Sequence, residues 1–283
     1  MRIATIIAAA MAAALAAGGA HAQDKSWKTI KIATEGAYAP YNFMGPDGKL
    51  QGFEVDLATE LCKRMEAKCE VVAQDWDGII PALQAGKYDA IMAGMNITDK
   101  RKEVIDFSRN YTRENNGLGA DLSGPLGKLA DSDARIDLST ETPETKAVID
   151  RLREALKGKT VGVQVSTIHA NFADKYLKGA AEIREYKTTE QHDLDLLAGR
   201  VDAIFASNAA ERATFEKPDF KGYGLVGPKF YGGVFGGGVG VGVRKADPEL
   251  RDKFTAAINA MRADGSLKEL AIKWFKVDTS PTS

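Results

Sequence analysis

Apolar residues recur along the chain in two rhythms, short solid runs and stripes at three-to-four spacing. Runs at residues 30–34, 70–74 and 89–93 have the length and content of buried strands, whereas Val55, Ala58, Leu61, Cys62 and Met65 mark one face of a helix. A further helix is predicted from about Asp77, read as its cap, to Gly86, and Thr98 caps the one after the third run. Residues 121–157 are more polar and carry one outlined helix, with Thr142 as cap, Pro143 in the first turn, Val148, Leu152 and Leu156 inward, and Gly158 past the end. A strand at 160–164, helices at 168–177 and 190–198 and a strand at 201–206 follow. Two terminal helices are opened by Asp247-Pro248 and by Ser266. Strand–helix alternation of this kind predicts an α/β fold with mainly parallel sheets flanked by helices. Two lobes are expected, with linkers near 112–121 and 227–233.

The first 22 residues do not share this rhythm. One charge, Arg2, precedes an apolar run from 3 to 17 and the small-x-small sequence Ala20-His21-Ala22. This is the pattern of a secretory signal peptide. No later window offers the roughly 20 uninterrupted apolar residues of a membrane span. An exported, periplasmic protein is expected. In an oxidising compartment its two cysteines, Cys62 and Cys69, are expected to form a structural disulfide.

The 283 residues hold 38 Lys+Arg against 39 Asp+Glu, a net charge of -1, so no basic field exists to hold nucleic acid. Two cysteines are too few for a four-cysteine zinc site, and His169 and His192 stand apart, so neither metal nor cofactor is expected. His192 reads as a solvated helix residue, and His169 as a ligand contact or a cap. The glycine-rich stretch from Gly232 to Gly242 lacks the GK[ST] ending of a phosphate loop. Its Gly–Val alternation over 238–243 reads instead as a strand with a small-residue face.

Ligands of open α/β sheets bind outside the carboxyl ends of the strands. Glu35 and Tyr38 follow the first strand, Trp76 the second, and Ala93, Gly94 and Asn96 the third, with Arg101 a turn into the next helix. Singly, Arg101 reads as a solvated helix face, Trp76 as core and Glu35 as surface. Jointly they point to a site. Arg101 can hold a carboxylate bidentately, Tyr38 and Trp76 can sandwich an aliphatic or guanidinium side chain, and Glu35 can pair with a distal cation.

At these residues the chain resembles the periplasmic solute-binding proteins of polar amino-acid ABC importers. The resemblance is carried by Tyr38-Ala-Pro-Tyr-Asn-Phe, Gly52-Phe-Glu-Val-Asp-Leu, Cys62-Lys-Arg-Met with Cys69, and Trp76-Asp-Gly-Ile-Ile-Pro-Ala-Leu. It continues through Tyr88-Asp-Ala-Ile-Met, Ile97-Thr-Asp-Lys-Arg, Ala198-Gly-Arg-Val-Asp-Ala and Gly240-Val-Gly-Val-Arg-Lys. The nearest groups bind lysine, arginine and ornithine, histidine, or the opines octopine and nopaline. The resemblance implies a type II two-lobe fold with the ligand cleft between lobes. Lobe one would be 23–114 plus 234–283 and lobe two 115–233. It also implies a monomer that performs no chemistry and hands a cationic amino acid or opine to an inner-membrane permease.

Residue by residue, the resemblance gives Arg101 the ligand's α-carboxylate, with the backbone at Ala93 and Gly94 and, across the cleft, Thr167. Tyr38 and Trp76 would flank the side chain, Glu35 would meet its cation, and Gln164 and His169 would contribute from lobe two. Where the basic amino-acid proteins place an Asp for the α-ammonium, this chain has Ser207. A hydroxyl there leaves room for an N-carboxyalkyl group, which favours an octopine-like opine. Asn96, bulkier than the family's usual Ser or Gly, narrows the pocket, and Asn115 and Asn116 replace a more apolar crossing segment. A plain arginine, ornithine, lysine or histidine ligand is the alternative. A cyclohexadienyl dehydratase-like enzyme on the same fold is the rival class.

Overall fold

The computed structural model describes residues 26–281. The expected signal peptide, residues 1–22, lies outside them. Strands Lys68–Ala73, Thr29–Thr34 and Ala90–Ile91 lie side by side and parallel. The glycine-rich strand Val239–Val243 and then Asp106–Thr112 continue this sheet antiparallel. The second sheet repeats the plan, with Glu182–Tyr186, Thr160–Gln164 and Ala203–Ser207 parallel. Asn116–Asp121 and Tyr223–Tyr231 follow antiparallel, with Arg135–Asp137 at the edge. Each sheet is thus a parallel trio extended by the strands through which the chain passes between lobes. Residues 116–121 and 223–231 are ladder strands of the second sheet, so only 113–115 and 232–238 lie between the sheets.

Periodicity explains the packing. Helix Phe53–Arg64 buries Phe53, Leu57, Ala58, Leu61 and Cys62 against the first sheet, with acids in its first turn and bases in its last. Its end is bonded to the neighbouring strand by the Cys62–Cys69 disulfide. Phe53 and Tyr41 also meet Phe275 of the terminal helix Ser266–Phe275 at 4.7 and 4.8 Å. The second core is aromatic, with Phe172 stacked on Phe205 at 4.5 Å and Phe230 and Phe235 beside them.

Caps fall where hydroxyls were expected at Thr98 and Thr142, each accepting a backbone N–H of its own first turn. Asp77 is a correction: it sits inside the 3-10 turn Trp76–Gly78, and Gly78 precedes helix Ile79–Gln84. His192 is another. It is 1% exposed, because helix Thr189–Leu197 lies on strand Thr160–Gln164 at Gly162, where a Cβ would come within 3.1 Å of the His192 Cβ.

Candidate ligand-binding cleft

The parallel strands of the two lobes aim their carboxyl ends at one interlobe cleft of about 310 Å³, mouth included. From lobe one Glu35, Tyr38, Trp76, Ala93, Gly94, Asn96 and Arg101 line it; from lobe two Gln164, Thr167, Ile168 and His169 do. Ser207 stays outside this lining and lies against the Tyr38 hydroxyl. Ile168, an apolar residue opening helix Ile168–Phe172, carries no mark of a site in the sequence.

Arg101 rides on the short helix Asp99–Lys102, which Thr98 caps. Its guanidinium donates to Asn96 O at 2.9 Å and, across the cleft, to Ser166 O at 3.3 Å. It also lies over the Trp76 ring, 5.2 Å from the centroid. Part of its surface stays open at the cleft mouth, yet the surrounding protein lowers its pKa to about 10 by desolvation. Among the described residues, no carboxylate comes within ion-pair distance of it. A guanidinium hydrogen-bonded only to carbonyls and resting on an aromatic face has donors to offer an anion.

Glu35 is its counterpart. The carboxylate accepts 2.6 Å from the Gln164 amide of lobe two, which also donates to Lys187 O. Burial pushes its pKa up to about 7, opposed by the Gln164 bond and reinforced by Glu190, Glu54 and Asp75. One cleft therefore holds a guanidinium without an anion and a carboxylate without a cation.

The aromatic walls serve the same closure. Trp76 Nε1 donates to Val165 O at 3.1 Å, tying the lobes together across the cleft. Tyr38 stacks on Tyr41 with centroids 5.2 Å apart. Gly94 lies against the Tyr38 ring with φ +59, where a Cβ would sit 2.9 Å from the ring carbon. That approach leaves only glycine room.

A buried acid outside the cleft lining sets these loops. Glu54 accepts from Gly94 N and from Asn42 Nδ2, both at 2.7 Å, and from the Tyr111 hydroxyl. Asn42 in turn accepts from Gly36 N at 2.7 Å. Glu54 thus couples the loop carrying Glu35 to the loop carrying Gly94. Its sequence signal was an acid in phase with Leu57, Ala58 and Leu61 on the helix's buried stripe.

In lobe two, the Thr167 hydroxyl donates to Gln164 O at 2.6 Å and accepts from Ala170 N at 3.1 Å, so it is committed to capping. His169 does not cap. Its Nε2 lies 2.9 Å from Asn116 Oδ1, and burial lowers its pKa to about 3, so the ring is neutral. Asn116, from the crossing segment, therefore orients the histidine. The Asn96 side chain turns back to Gly94 O at 3.4 Å. Ser207, 5% exposed, caps helix Asn208–Phe215 by accepting from Ala210 N.

The family model for bacterial extracellular solute-binding proteins, family 3, matches residues 30–277. The octopine-binding periplasmic protein of Rhizobium meliloti is 46% identical over 99% of this chain and its own full length. The L-arginine-binding protein of Pseudomonas aeruginosa is 37% identical over 89% of each chain. In structure, the chain is similar to a periplasmic His/Glu/Gln/Arg/opine family-binding protein from Silicibacter pomeroyi in complex with lysine. The TM-score is 0.71 at 36% identity, over 89% of this chain and 99% of that one. All three are named for a ligand and none for a reaction, and the third has the same two-lobe α/β fold. This chain belongs to the bacterial extracellular solute-binding proteins, family 3.

Proposed function

We propose that the cleft captures a cationic amino acid or its octopine-like opine derivative, and that the protein delivers it to an inner-membrane ABC permease. The observation that carries this is the pair of unmatched charges, Arg101 and Glu35, in one cleft. A ligand with a carboxylate at one end and a cation at the other satisfies both, and a buried charge left unpaired is costly. The carboxylate takes the place of Ser166 O on Arg101, and the distal cation displaces the Gln164 amide from Glu35. Tyr38 and Trp76 flank the chain between. The relatives that bind octopine, arginine and lysine support the ligand class.

Residues 1–22 act as the export signal, and the mature chain works as a periplasmic monomer. Lobe one comprises 23–114 plus 234–283 and lobe two 115–233, with 113–115 and 232–238 as the hinge that opens for entry. Ser207 lies behind Tyr38 and not in the cleft lining, and its small neutral side chain sets no negative charge against an N-carboxyalkyl group, which favours the opine over the free amino acid.

The test is calorimetric titration of ligand-stripped protein with arginine, ornithine, lysine, histidine, octopine and nopaline. At least one binds with a Kd of about 1 μM or tighter. Failure of all six overturns the ligand class.

A further inference from the structure

A second interlobe cavity adjoins the cleft. Tyr38 lines the cleft, while its neighbours Ala37 and Ala39 line this cavity. The facing wall comes from helices Thr189–Leu197 and Asn208–Phe215, and the Thr189 hydroxyl donates to Ala37 O at 3.1 Å to seal the two lobes. Its free volume of about 350 Å³, mouth included, leaves room for roughly one water-sized group behind the packed side chains.

Glu211 lines this cavity and is 1% exposed, and neither carboxylate oxygen has a hydrogen-bond partner. The Ala206 backbone is close enough to favour the ionised form without reaching hydrogen-bond geometry. Asp193, on the same wall, accepts from the Thr214 hydroxyl at 2.7 Å and stands 3.0 Å from His192 Nδ1. Glu190 and Lys217, both exposed, complete the titratable groups that face the cavity, and Arg212 lies nearby on the helix of Glu211. Three carboxylates thus face one exposed lysine and one histidine.

Helix capping does not require an acid at this depth, since Ser207 performs it one turn earlier. Ser207 and Glu211 are four residues apart and share a face.

We propose that this cavity is a site for one ammonium-sized monovalent cation, with Glu211 as its anion and Asp193 as the second charge, assembled when the lobes close. A calcium ion would need about six to eight oxygens, more than this wall presents. Without a cation, burial and the nearby Asp193 push the Glu211 pKa well above the usual carboxylate range, which favours the protonated acid. When a cation enters, Glu211 ionises and its proton leaves to solvent, which conserves charge. The cationic nitrogen comes from free ammonium, or from the amine of the cleft ligand reaching past Tyr38. The second source rests on the ligand class proposed above.

The test compares wild type with Glu211→Gln, which keeps the size of the side chain, and with Glu211→Met as a second variant. Ligand-stripped proteins are melted in ammonium chloride against choline chloride at fixed ionic strength. They are then titrated with arginine and octopine in two buffers of different ionisation enthalpy. Ammonium stabilisation of wild type alone identifies the free cation. If ammonium has no effect, the ligand amine is the source when both variants bind at least about tenfold more weakly and lose a proton released by wild type. Weaker binding with unchanged proton release would make Glu211 a packing residue and overturn the proposal, as would variants indistinguishable from wild type in every arm. A wild type that binds neither arginine nor octopine counts against the ligand class, and the ammonium melts then decide this site alone.

Discussion

Across the closed cleft, the Gln164 side-chain amide donates to the Glu35 carboxylate at 2.6 Å, a neutral group standing against a charge. A cationic ligand is the stronger partner. With its pKa raised to about 7, Glu35 holds a proton in mildly acidic solution that such a ligand must displace. The free-state pKa lies above the bound one, so affinity for a cationic ligand falls as pH drops below about 7 and levels off above it. Titrations between pH 5 and 8 should show up to about tenfold weakening per unit on the acid side. Glu35→Gln binds more weakly, and the part of the slope due to Glu35 is lost.

Ser207→Asp separates opine from free amino acid. Aspartate caps a helix as well as serine does, so helix Asn208–Phe215 survives the change. The new carboxylate repels an N-carboxyalkyl group but not a free ammonium. Calorimetry should find octopine weakened at least about tenfold relative to arginine, by like-charge repulsion in a buried site. Equal effects on both ligands would place the N-substituent elsewhere.

Trp76 holds the closed lobes together through Nε1 and Val165 O. Trp76→Phe keeps an aromatic wall and removes the donor. A hydrogen bond of about 0.5–1.5 kcal/mol is lost from the closed form. Stopped-flow measurement should therefore show ligand release faster by about two- to tenfold, with the association rate nearly unchanged.

The Cys62–Cys69 disulfide closes a short loop at the end of helix Phe53–Arg64. Loop-closure entropy for that length amounts to about 2.5 kcal/mol. Cys62→Ser with Cys69→Ser should lower Tm by roughly 5–10 °C and leave ligand affinity within about twofold, since neither cysteine lines the cleft. A large loss of affinity would mean the staple also sets the cleft loops.

The strand-end rule located the lobe-one side of the cleft because it needs only strand positions, which apolar runs reveal. Tertiary pairings stayed out of reach. Nothing local in sequence says that His169 meets Asn116, more than fifty residues earlier, or that Trp76 reaches Val165. The solvated expectation for His192 failed because Gly162, on a different element, makes the space that buries it. Glu54 was visible only as an acid in an apolar stripe, and its bonds to Gly94, Asn42 and Tyr111 required the fold. Five of the six parallel strands were legible from apolar runs, whereas Glu182–Tyr186, mostly charged, carried no such run, and the antiparallel strands beside the trios follow from where the chain crosses between lobes.

The central claim is that Arg101 takes a carboxylate and Glu35 a cation from the same ligand. The most direct measurement titrates ligand-stripped wild-type protein with arginine and octopine, and with agmatine, which lacks the carboxylate, and citrulline, which lacks the side-chain charge. Arginine or octopine should bind at least about 100-fold tighter than either analogue, the scale of losing one partner of a buried charge pair. Agmatine or citrulline binding within about tenfold of the better ligand, or no binding by any of the four, would contradict it.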